Sequence, residues 1–325
     1  MSASEASSPR ATNEVPHGPT PPIAVIDIGS TAVRMAIAQV NGDGSIRTLE
    51  SLFQEVSLGK DSFTKGMIER PSIEECVRAL RSFRRVLAEY GIADGKQIRA
   101  VATSAVREAR NRDAFVDRVY SATGIDIRVI DEAEVSRYTY LSVRPAIQRS
   151  PLLSSSDALV IEVGGGSTEV LVVQRGRLVF SYSYRLGSYR MRETLEEYGA
   201  ADVGLLSAME NRIQRTVNHI RQRASVKEKP NILALGGDIR FAAAHLLPNW
   251  DGADVARLPV RSLSTFTNKL LRLSVDELVH RYHLPYPDAE ALGPALLTYV
   301  HVARALKLTH LLVSTSTMRE GIQRE

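Results

Sequence analysis

The chain has 325 residues, of which 44% are hydrophobic and 24% are charged. These proportions are typical of folded proteins and exclude a wholly disordered or collagen-like chain. At about 150 residues per domain, the length predicts two domains. The formal net charge is +4, and only seven of the 41 basic residues are Lys. Because no Lys/Arg block is interleaved with aromatic residues, no nucleic-acid polymer is expected as a partner.

The cysteine count and the N-terminal segment indicate the cellular compartment in which the protein is expected. The single cysteine, Cys76, excludes an internal disulfide framework and a multi-cysteine zinc site, and it suits a reducing cytoplasm. No apolar run reaches the ~18 residues that cross a bilayer, so no membrane is expected. Residues 1–22 are rich in Ser, Pro, Ala and Thr. They predict a disordered tail without the apolar core of a secretory signal, and hence a cytoplasmic protein.

The first half of the folded region alternates strands and helices. The apolar run from Ile23 leads to a turn at Gly29 and then to a second strand from Thr31, which predicts a hairpin. Ser72 and Glu75 predict a capping box at the start of an amphipathic helix. The predicted elements after the hairpin are a helix over 72–90, a strand over 98–102, a helix over 111–122, a strand over 125–130 and a helix over 132–143.

The pattern of the first hairpin then returns. A predicted loop over 145–156 marks a candidate boundary, and after it an apolar strand again runs into a glycine turn. Asp27 and Glu162 hold equivalent places in the two copies. This internal duplication predicts two related α/β domains that face each other. Further predicted elements are a helix around 205–220, a strand over 231–235, a helix from Pro294 to about 306, a strand over 309–314 and a helix over 317–324.

Three strand-to-glycine turns are suited to binding phosphate. They are Asp27-Ile-Gly-Ser30, Glu162-Val-Gly-Gly-Gly-Ser-Thr-Glu169 and Leu235-Gly-Gly-Asp238. Glycine lets backbone N–H groups approach an anion, and successive N–H groups form an anion-binding nest. A carboxylate at a strand end can also hold hydrated Mg²⁺. Two matched turns with acidic residues in register therefore indicate a phosphate site.

The same residues carry a resemblance to a known family. The strings Asp27-Ile-Gly-Ser30, Ala102-Thr-Ser-Ala-Val-Arg107, Gly164-Gly-Gly-Ser-Thr-Glu169, Leu186-Gly-Ser-Tyr-Arg190 and Met318-Arg-Glu-Gly321 resemble, in order, motifs of the Ppx/GppA family. That family contains exopolyphosphatases and guanosine pentaphosphate phosphatases. The resemblance implies two actin-like (ASKHA, ribonuclease H-like) domains with an interdomain cleft. They would span 23–130 and 131–314, with helix 315–325 packing back on the first.

The resemblance also implies an activity and a set of site residues. It implies a Mg²⁺-dependent phosphohydrolase acting on inorganic polyphosphate or guanosine pentaphosphate, and it is compatible with a homodimer. Glu169 and Glu134 would be catalytic, and Asp27 and Glu162 would bind the metal. The substrate-binding residues would be Gly29, Ser30, Thr31, Arg34, Ser104, Arg107, Gly164, Gly165, Gly166, Ser167 and Thr168.

Several positions depart from the family pattern. The expected second Glu of a double-Glu stretch falls on Val135, which cannot accept a proton or orient water. Either Glu134 or Glu132 substitutes for it, or hydrolysis is impaired. Glu162 replaces the usual Asp, and Asp238 places a carboxylate near the phosphate track. Other departures are Thr31 in place of Asn and Thr317 in place of Gly.

These departures leave alternatives to hydrolysis open. One is a catalytically impaired member that binds polyphosphate or guanosine nucleotides as a sensor, since the binding residues match the family pattern better than the hydrolytic residues do. Another is an ATP-dependent kinase of the same fold, because fold does not fix function.

Overall fold

The computed structural model describes residues 20–42, 44–93, 95–197, 202–223 and 230–325, so most of the predicted N-terminal tail lies outside the described residues. The strands, in chain order, are β1 (Ile23–Ile28), β2 (Ala32–Val40), β3 (Ile46–Glu55), β4 (Ile98–Ala102), β5 (Ile127–Val129), β6 (Asp157–Val163), β7 (Thr168–Gln174), β8 (Arg177–Tyr184), β9 (Asn231–Leu235), β10 (Ala256–Pro259) and β11 (His310–Val313).

The helices lie between and around these strands. They are α1 (Leu58–Lys65), α2 (Arg70–Glu89), α3 (Ser104–Glu108), α4 (Arg112–Thr123), α5 (Glu132–Arg149), α6 (Pro151–Ser154), α7 (Ser188–Glu197), α8 (Asp202–Arg223), α9 (Gly237–Leu246), α10 (Val260–Leu270), α11 (Val275–Tyr282), α12 (Tyr286–Ala305) and α13 (Met318–Gln323). Among the described helices, none combines the length and the hydropathy that a bilayer span requires.

Two mixed sheets repeat one topology. The first has the strand order β3-β2-β1-β4-β5, and the second has the order β10-β11-β9-β6-β7-β8. In the first, β1 pairs antiparallel with β2 and parallel with β4. In the second, β6 pairs antiparallel with β7 and parallel with β9. The predicted duplication is therefore present, and Asp27 and Glu162 are each the penultimate residue of equivalent strands.

One helix serves both sheets. Near the start of α5, Val135 and Tyr138 pack with Val25 and Val101 of the first sheet and with Ile322 of α13. Farther along α5, the buried side chains at 143 and 147 pack under the second sheet. Helix α13 also contacts β1 and β2. The two lobes, each a sheet with its helices, are thus joined through the length of α5.

Three local predictions are wrong. The N-cap of α2 is Glu69, whose side chain makes no cap bond, and Ser72 is buried inside the helix, so Ser72 and Glu75 form no capping box. Helix α5 continues through Pro145, and α6 follows it, where a loop was predicted. Helix α12 starts at Tyr286, so Pro294 lies inside it and not in its first turn. Burial of these helices compensates for the hydrogen bond that each proline removes.

Candidate active site in the cleft between the lobes

A cleft of about 460 Å³ lies where the equivalent strand ends of the two sheets meet. This volume lies within the range of small-molecule sites. The first lobe contributes the turn after β1 and the start of α3, and the second contributes the turns after β6 and β9. Gly29 and Gly165 both line this one cleft. The two glycine turns therefore face a shared space.

The turn between β1 and β2 presents donors to the cleft. The Gly29 N–H donates to the Ala32 carbonyl at 2.9 Å, which closes the turn. Among the described residues, no protein acceptor receives the backbone N–H groups of Ser30 and Thr31. The Arg34 guanidinium lies 5.2 Å from the centre of the Phe53 ring. The turn thus combines free backbone donors with a cation held against an aromatic face.

The turn between β6 and β7 is the second such nest. The Gly164 N–H donates to the Ser167 carbonyl at 2.9 Å, and within the described chain the N–H groups of Gly165, Gly166 and Ser167 meet no protein acceptor. A Cβ on Gly166 would lie 2.1 Å from Ser104 Oγ. Glycine is therefore required at 166 by the close approach of the two lobes as well as by its place in the nest.

Ionic contacts hold the lobes together beside this turn. Glu108 at the end of α3 bonds both Arg185 and Arg190 of the second lobe, each at 2.5 Å. Arg190 also donates through Nε to the Gly166 carbonyl at 2.7 Å, and its guanidinium lies 3.8 Å from the centre of the Phe63 ring. These contacts fix the backbone of the nest against the first lobe.

Arg107 approaches the cleft from the first lobe. Its Nη1 donates to the Ile130 carbonyl at 3.0 Å, and its Nη2 lies 3.9 Å from a carboxylate oxygen of Glu132. The exposed Glu132 itself does not line the cleft. The guanidinium of Arg107 is thus oriented by one carbonyl and keeps donors for a phosphate.

Glu169 on β7 is a buried carboxyl of the cleft. Its side chain is almost fully buried, at 4% exposure. Oε1 accepts hydrogen bonds from Ser167 at 3.0 Å and from Ser183 at 2.7 Å. Oε2 is buried and has no partner among the described residues. Burial, with a smaller contribution from the charge of Glu162, raises the pKa of Glu169 to about 7. Such a carboxyl can exchange a proton near neutral pH.

The two predicted metal ligands have different surroundings. Asp27 Oδ2 lies 3.4 Å from Arg319 Nη1. Glu162 accepts a hydrogen bond from Thr139 at 3.2 Å, and burial raises its pKa, against which the charge of Arg240 acts. No group of three or more His, Cys, Asp or Glu side chains in the described chain is placed to hold a metal. A hydrated Mg²⁺ needs only one or two carboxylates and substrate phosphates.

The register of the second sheet places Glu162 directly opposite Glu169 across β6 and β7. Asp27 also lines the cleft, and its charge acts on Glu162. The assignment of a metal to Asp27 and Glu162 therefore stays a prediction.

Most predicted site residues line the cleft. They are Asp27, Gly29, Ser30, Thr31, Arg34, Ser104, Arg107, Glu162, Gly164, Gly165, Gly166, Ser167 and Glu169. Thr168 does not line the cleft. Its buried hydroxyl donates to the Leu186 carbonyl at 2.5 Å, so it stabilises the turn on the side away from the cleft.

Glu134 also lies outside the cleft lining. Its side chain completes a capping box with Asp131 and lies 2.9 Å from Arg128. These bonds hold it at the start of α5, and its catalytic role stays a prediction. Val135, the next residue, does line the cleft and is 8% exposed.

The structure adds three charged residues that the sequence analysis did not assign to the site. Arg240 on α9, Asp288 on α12 and Arg319 on α13 all line the cleft. Arg319 stands inside the Met318-Arg-Glu-Gly321 string, which was a usable signal. Arg240 follows the Leu235-Gly-Gly-Asp238 turn by two residues, which was also a usable signal. Asp288 lies on a helix with no such motif, and only the folding of the chain brings it to the cleft.

Comparison with known proteins agrees with this geometry. Exopolyphosphatase 1 of Mycobacterium tuberculosis is 28% identical over 148 residues, 46% of this chain and 41% of its own length. Guanosine-5'-triphosphate,3'-diphosphate pyrophosphatase of Pseudoalteromonas atlantica is 27% identical over 170 residues, 52% of this chain and 32% of its own length. The matched stretches thus span less than half of these curated relatives.

Solved structures share the whole architecture. The crystal structure of an exopolyphosphatase from Cytophaga hutchinsonii superposes with a TM-score of 0.79 at 21% identity, covering 93% of this chain and 96% of that one. The two lobes are therefore actin-like domains with the cleft between them. The sequence profile of the Ppx/GppA phosphatase family matches residues 36–324, and the chain belongs to that family.

Proposed function

We propose that this protein releases terminal phosphate from inorganic polyphosphate or guanosine pentaphosphate through attack of water on a phosphoanhydride. The observation that carries the proposal is the buried, unpartnered Oε2 of Glu169 in a cleft that two backbone nests line. Membership of a phosphatase family supports it, as do the names of the relatives.

Substrate binding follows from the donors of the cleft. The free N–H groups at Ser30 and Thr31 hold phosphate oxygens from one lobe, and those of Gly165 to Ser167 hold them from the other. Arg34 and Arg107 add charge and forked donors. Phosphoryl transfer needs mainly this positioning and neutralisation of the transferred group.

Glu169 has the properties of a base for the attacking water. Its Oε1 is fixed by two serine hydroxyls, which leaves Oε2 to accept a hydrogen bond from water. With a pKa of about 7, it is partly ionised at neutral pH and can take the proton that water loses. Val135 on the cleft wall cannot take this role.

A divalent cation is proposed at Asp27 and Glu162, which leaves Glu169 to act as the base. When bound, Mg²⁺ would neutralise phosphate oxygens and lower the pKa of a bound water. Neighbouring hydroxyl groups orient the carboxylates of Glu162 and Glu169. Thr139 donates a hydrogen bond to Glu162, and Ser167 and Ser183 donate to Glu169.

The test is phosphate release from long polyphosphate and from guanosine pentaphosphate, side by side, with and without Mg²⁺. Wild type should release phosphate from at least one substrate, and Glu169→Gln should lose this activity. No release from either substrate contradicts hydrolysis. Equal release by wild type and Glu169→Gln removes Glu169 from the mechanism.

A second candidate function is a sensor that binds these ligands without turnover. It is favoured by Val135 on the cleft wall and by Glu134 being held in a cap outside the cleft. Tight binding without phosphate release would support it. Gain of phosphate release on Val135→Glu would show that the missing carboxylate is the cause.

A further inference from the structure

The second nest, the turn between β6 and β7, lies against the first turn of α7. The carbonyl of Gly164 accepts a hydrogen bond from the Ser188 N–H at 3.0 Å. The carbonyl of Gly165 accepts one from the Arg190 N–H at 2.9 Å. The next carbonyl, that of Gly166, accepts a bond from Nε of the Arg190 side chain at 2.7 Å. Three successive carbonyls of the nest are therefore held from one side, by the start of a single helix.

The direction of these carbonyls sets the direction of the N–H groups that follow them. In a planar trans peptide, the carbonyl and the N–H of the next residue point in opposite directions, and the described chain has no cis peptide bond. The N–H groups of Gly165, Gly166 and Ser167 therefore point away from α7. All three residues line the cleft, and in the described chain these N–H groups have no protein acceptor. Helix α7 thus orients the donors of the second nest toward the cleft.

The close approach of α7 to the nest requires glycine at the residue before the helix. A Cβ on Gly187 would overlap the carbonyl oxygen of Gly165 and the carbonyl carbon of Gly166. A larger residue would push the first turn of α7 away, and the carbonyls would lose their donors. The Leu186-Gly-Ser-Tyr-Arg190 string thus has a physical reason: its glycine permits the contact, and its arginine supplies donors to the nest.

The side chain of Arg190 also reaches the first lobe. Arg190 is 4% exposed. Its Nη2 bonds Glu108 of α3 at 2.5 Å, and its guanidinium lies 3.8 Å from the centre of the ring of Phe63 on α1. A buried charge that loses its ionic partner is strongly destabilising. The orientation of Arg190, and with it that of the Gly166 carbonyl, therefore depends on the position of the first lobe.

We propose that Arg190 is a positioning residue that completes the second nest only when the first lobe is in contact with it. In that arrangement Arg190 holds the Gly166 carbonyl and directs the Ser167 N–H at a bound phosphate. When the lobes separate, Arg190 loses its partners, the peptide between Gly166 and Ser167 is free to turn, and phosphate is bound less tightly. By linkage, phosphate in the cleft favours contact between the lobes. This inference rests on the proposed function, because it takes the ligand to be a phosphate chain.

Titration calorimetry with tripolyphosphate, at one fixed Mg²⁺ concentration, tests the effect on binding. Arg190→Lys keeps the charge but lacks the forked donors of the guanidinium. It should weaken binding at least about tenfold, the contribution of one hydrogen bond to a charged group. The matched control is Arg185→Lys. Arg185 bonds the same Glu108 at 2.5 Å but is 71% exposed, and no hydrogen bond or ion pair of the described chain joins its side chain to the nest. The control should weaken binding by about twofold or less.

Amide resonances separate positioning from a general loss of structure. Ser30 lies in the first nest and Ser167 in the second, so isotope-labelled serine reports both nests in one protein. At saturating tripolyphosphate, both amide protons of wild type should shift downfield. In Arg190→Lys, the shift of Ser167 should be lost and that of Ser30 kept. Equal changes at both serines would contradict the proposed role of Arg190.

Glu108→Gln tests the dependence on the first lobe. It removes the ionic partner of Arg190 and should weaken tripolyphosphate binding in the same direction as Arg190→Lys. The double variant should lose no more affinity than the weaker-binding single variant, because both changes act on one contact. If Arg190→Lys fails to fold, the affinity of Glu108→Gln still decides the outcome.

The proposal is overturned if Arg190→Lys and Glu108→Gln bind tripolyphosphate as wild type does, if Arg185→Lys loses as much affinity as Arg190→Lys, or if the losses add in the double variant. Phosphate release by the same proteins is a separate readout. Weaker binding in Arg190→Lys, with no phosphate release by wild type, supports the positioning role and contradicts hydrolysis. Release by wild type with unchanged affinity in Arg190→Lys does the reverse.

Discussion

Glu162 and Glu169 stand directly opposite each other on antiparallel strands β6 and β7, and both line the cleft between the lobes. Each repels the other's negative charge, and burial raises the pKa of both. Two such carboxyls are costly to ionise together unless a cation or a shared proton intervenes. This pairing concentrates the chemistry of the cleft at one place on the second sheet.

Glu169→Gln should lower the rate of phosphate release at least about 100-fold, the usual contribution of a general base. Glutamine keeps the shape and one acceptor for Ser167 and Ser183 but cannot take a proton. Steady-state phosphate release measures the loss. Ser183→Ala, which removes one orienting bond and leaves the carboxyl, is the matched variant and should have a smaller effect.

The activity should rise with pH through about 7, since the pKa of Glu169 is raised to about 7 and only the carboxylate can act as base. A pH profile of kcat in wild type measures this. A profile that stays flat between pH 5 and pH 9, both being about two units from that pKa, would contradict this role for Glu169.

The same raised pKa makes a prediction about stability. The folded protein favours the protonated form of Glu169, so its contribution is fully present below the unfolded pKa of about 4.5 and is lost as pH rises to about 7. Glu169→Gln removes this dependence. The variant should gain stability relative to wild type as pH rises through that interval, by at most about 3 kcal/mol. Denaturant unfolding at pH 4, near the unfolded value, and at pH 8, above the folded one, provides the comparison.

Glu134→Gln should leave phosphate release near the wild-type level and lower stability by about 1 kcal/mol or less, because glutamine keeps an acceptor for the capping box of α5 but loses the negative charge at the helix start and the ion pair with Arg128. Glu277→Gln makes the same change in the capping box of α11 and is the control. Similar stability losses with unchanged turnover in both variants would show a structural role. A selective loss of activity in Glu134→Gln would restore the catalytic role expected from the sequence.

Gly166→Ala should weaken binding of phosphate ligands, because its Cβ would lie 2.1 Å from Ser104 Oγ and 2.7 Å from the Phe63 ring. The lobes must then separate or the turn must move, and either change displaces the nest. Gly95→Ala is the control, since a Cβ there meets nothing within 4 Å. Titration with tripolyphosphate compares the two; an unchanged affinity in Gly166→Ala would show that the lobes tolerate the added methyl group.

Local sequence patterns predicted much of the fold because they reflect local physics. The strand and turn at Ile23 to Gly29 and the stop of α4 at Gly124, with a φ of 66°, follow from apolar periodicity and glycine conformation. Pro145 and Pro294 misled the prediction, since packing of the surrounding helices against the rest of the chain holds both inside helices. The cost of a proline inside a helix was outweighed by packing that no local window contains.

Some residues of the cleft could likewise be predicted from local sequence, and others could not. Gly29 and Gly165 stand in recognisable strings, whereas Arg319 meets Asp27 across 292 positions of the chain. Nothing in either local sequence shows that pairing. Glu134 and Val135 show a different limit. An ungapped alignment places the two expected glutamates at these adjacent positions, and only the folded start of α5 shows that Val135, not Glu134, lines the cleft.

Helix α5 is packed against the first sheet at its beginning and under the second sheet farther along. A helix anchored in both halves opposes their sliding past one another. We therefore expect any relative motion of the lobes to be a rotation about this helix, in which the residues nearest to it move least and the outer rim of the molecule moves most.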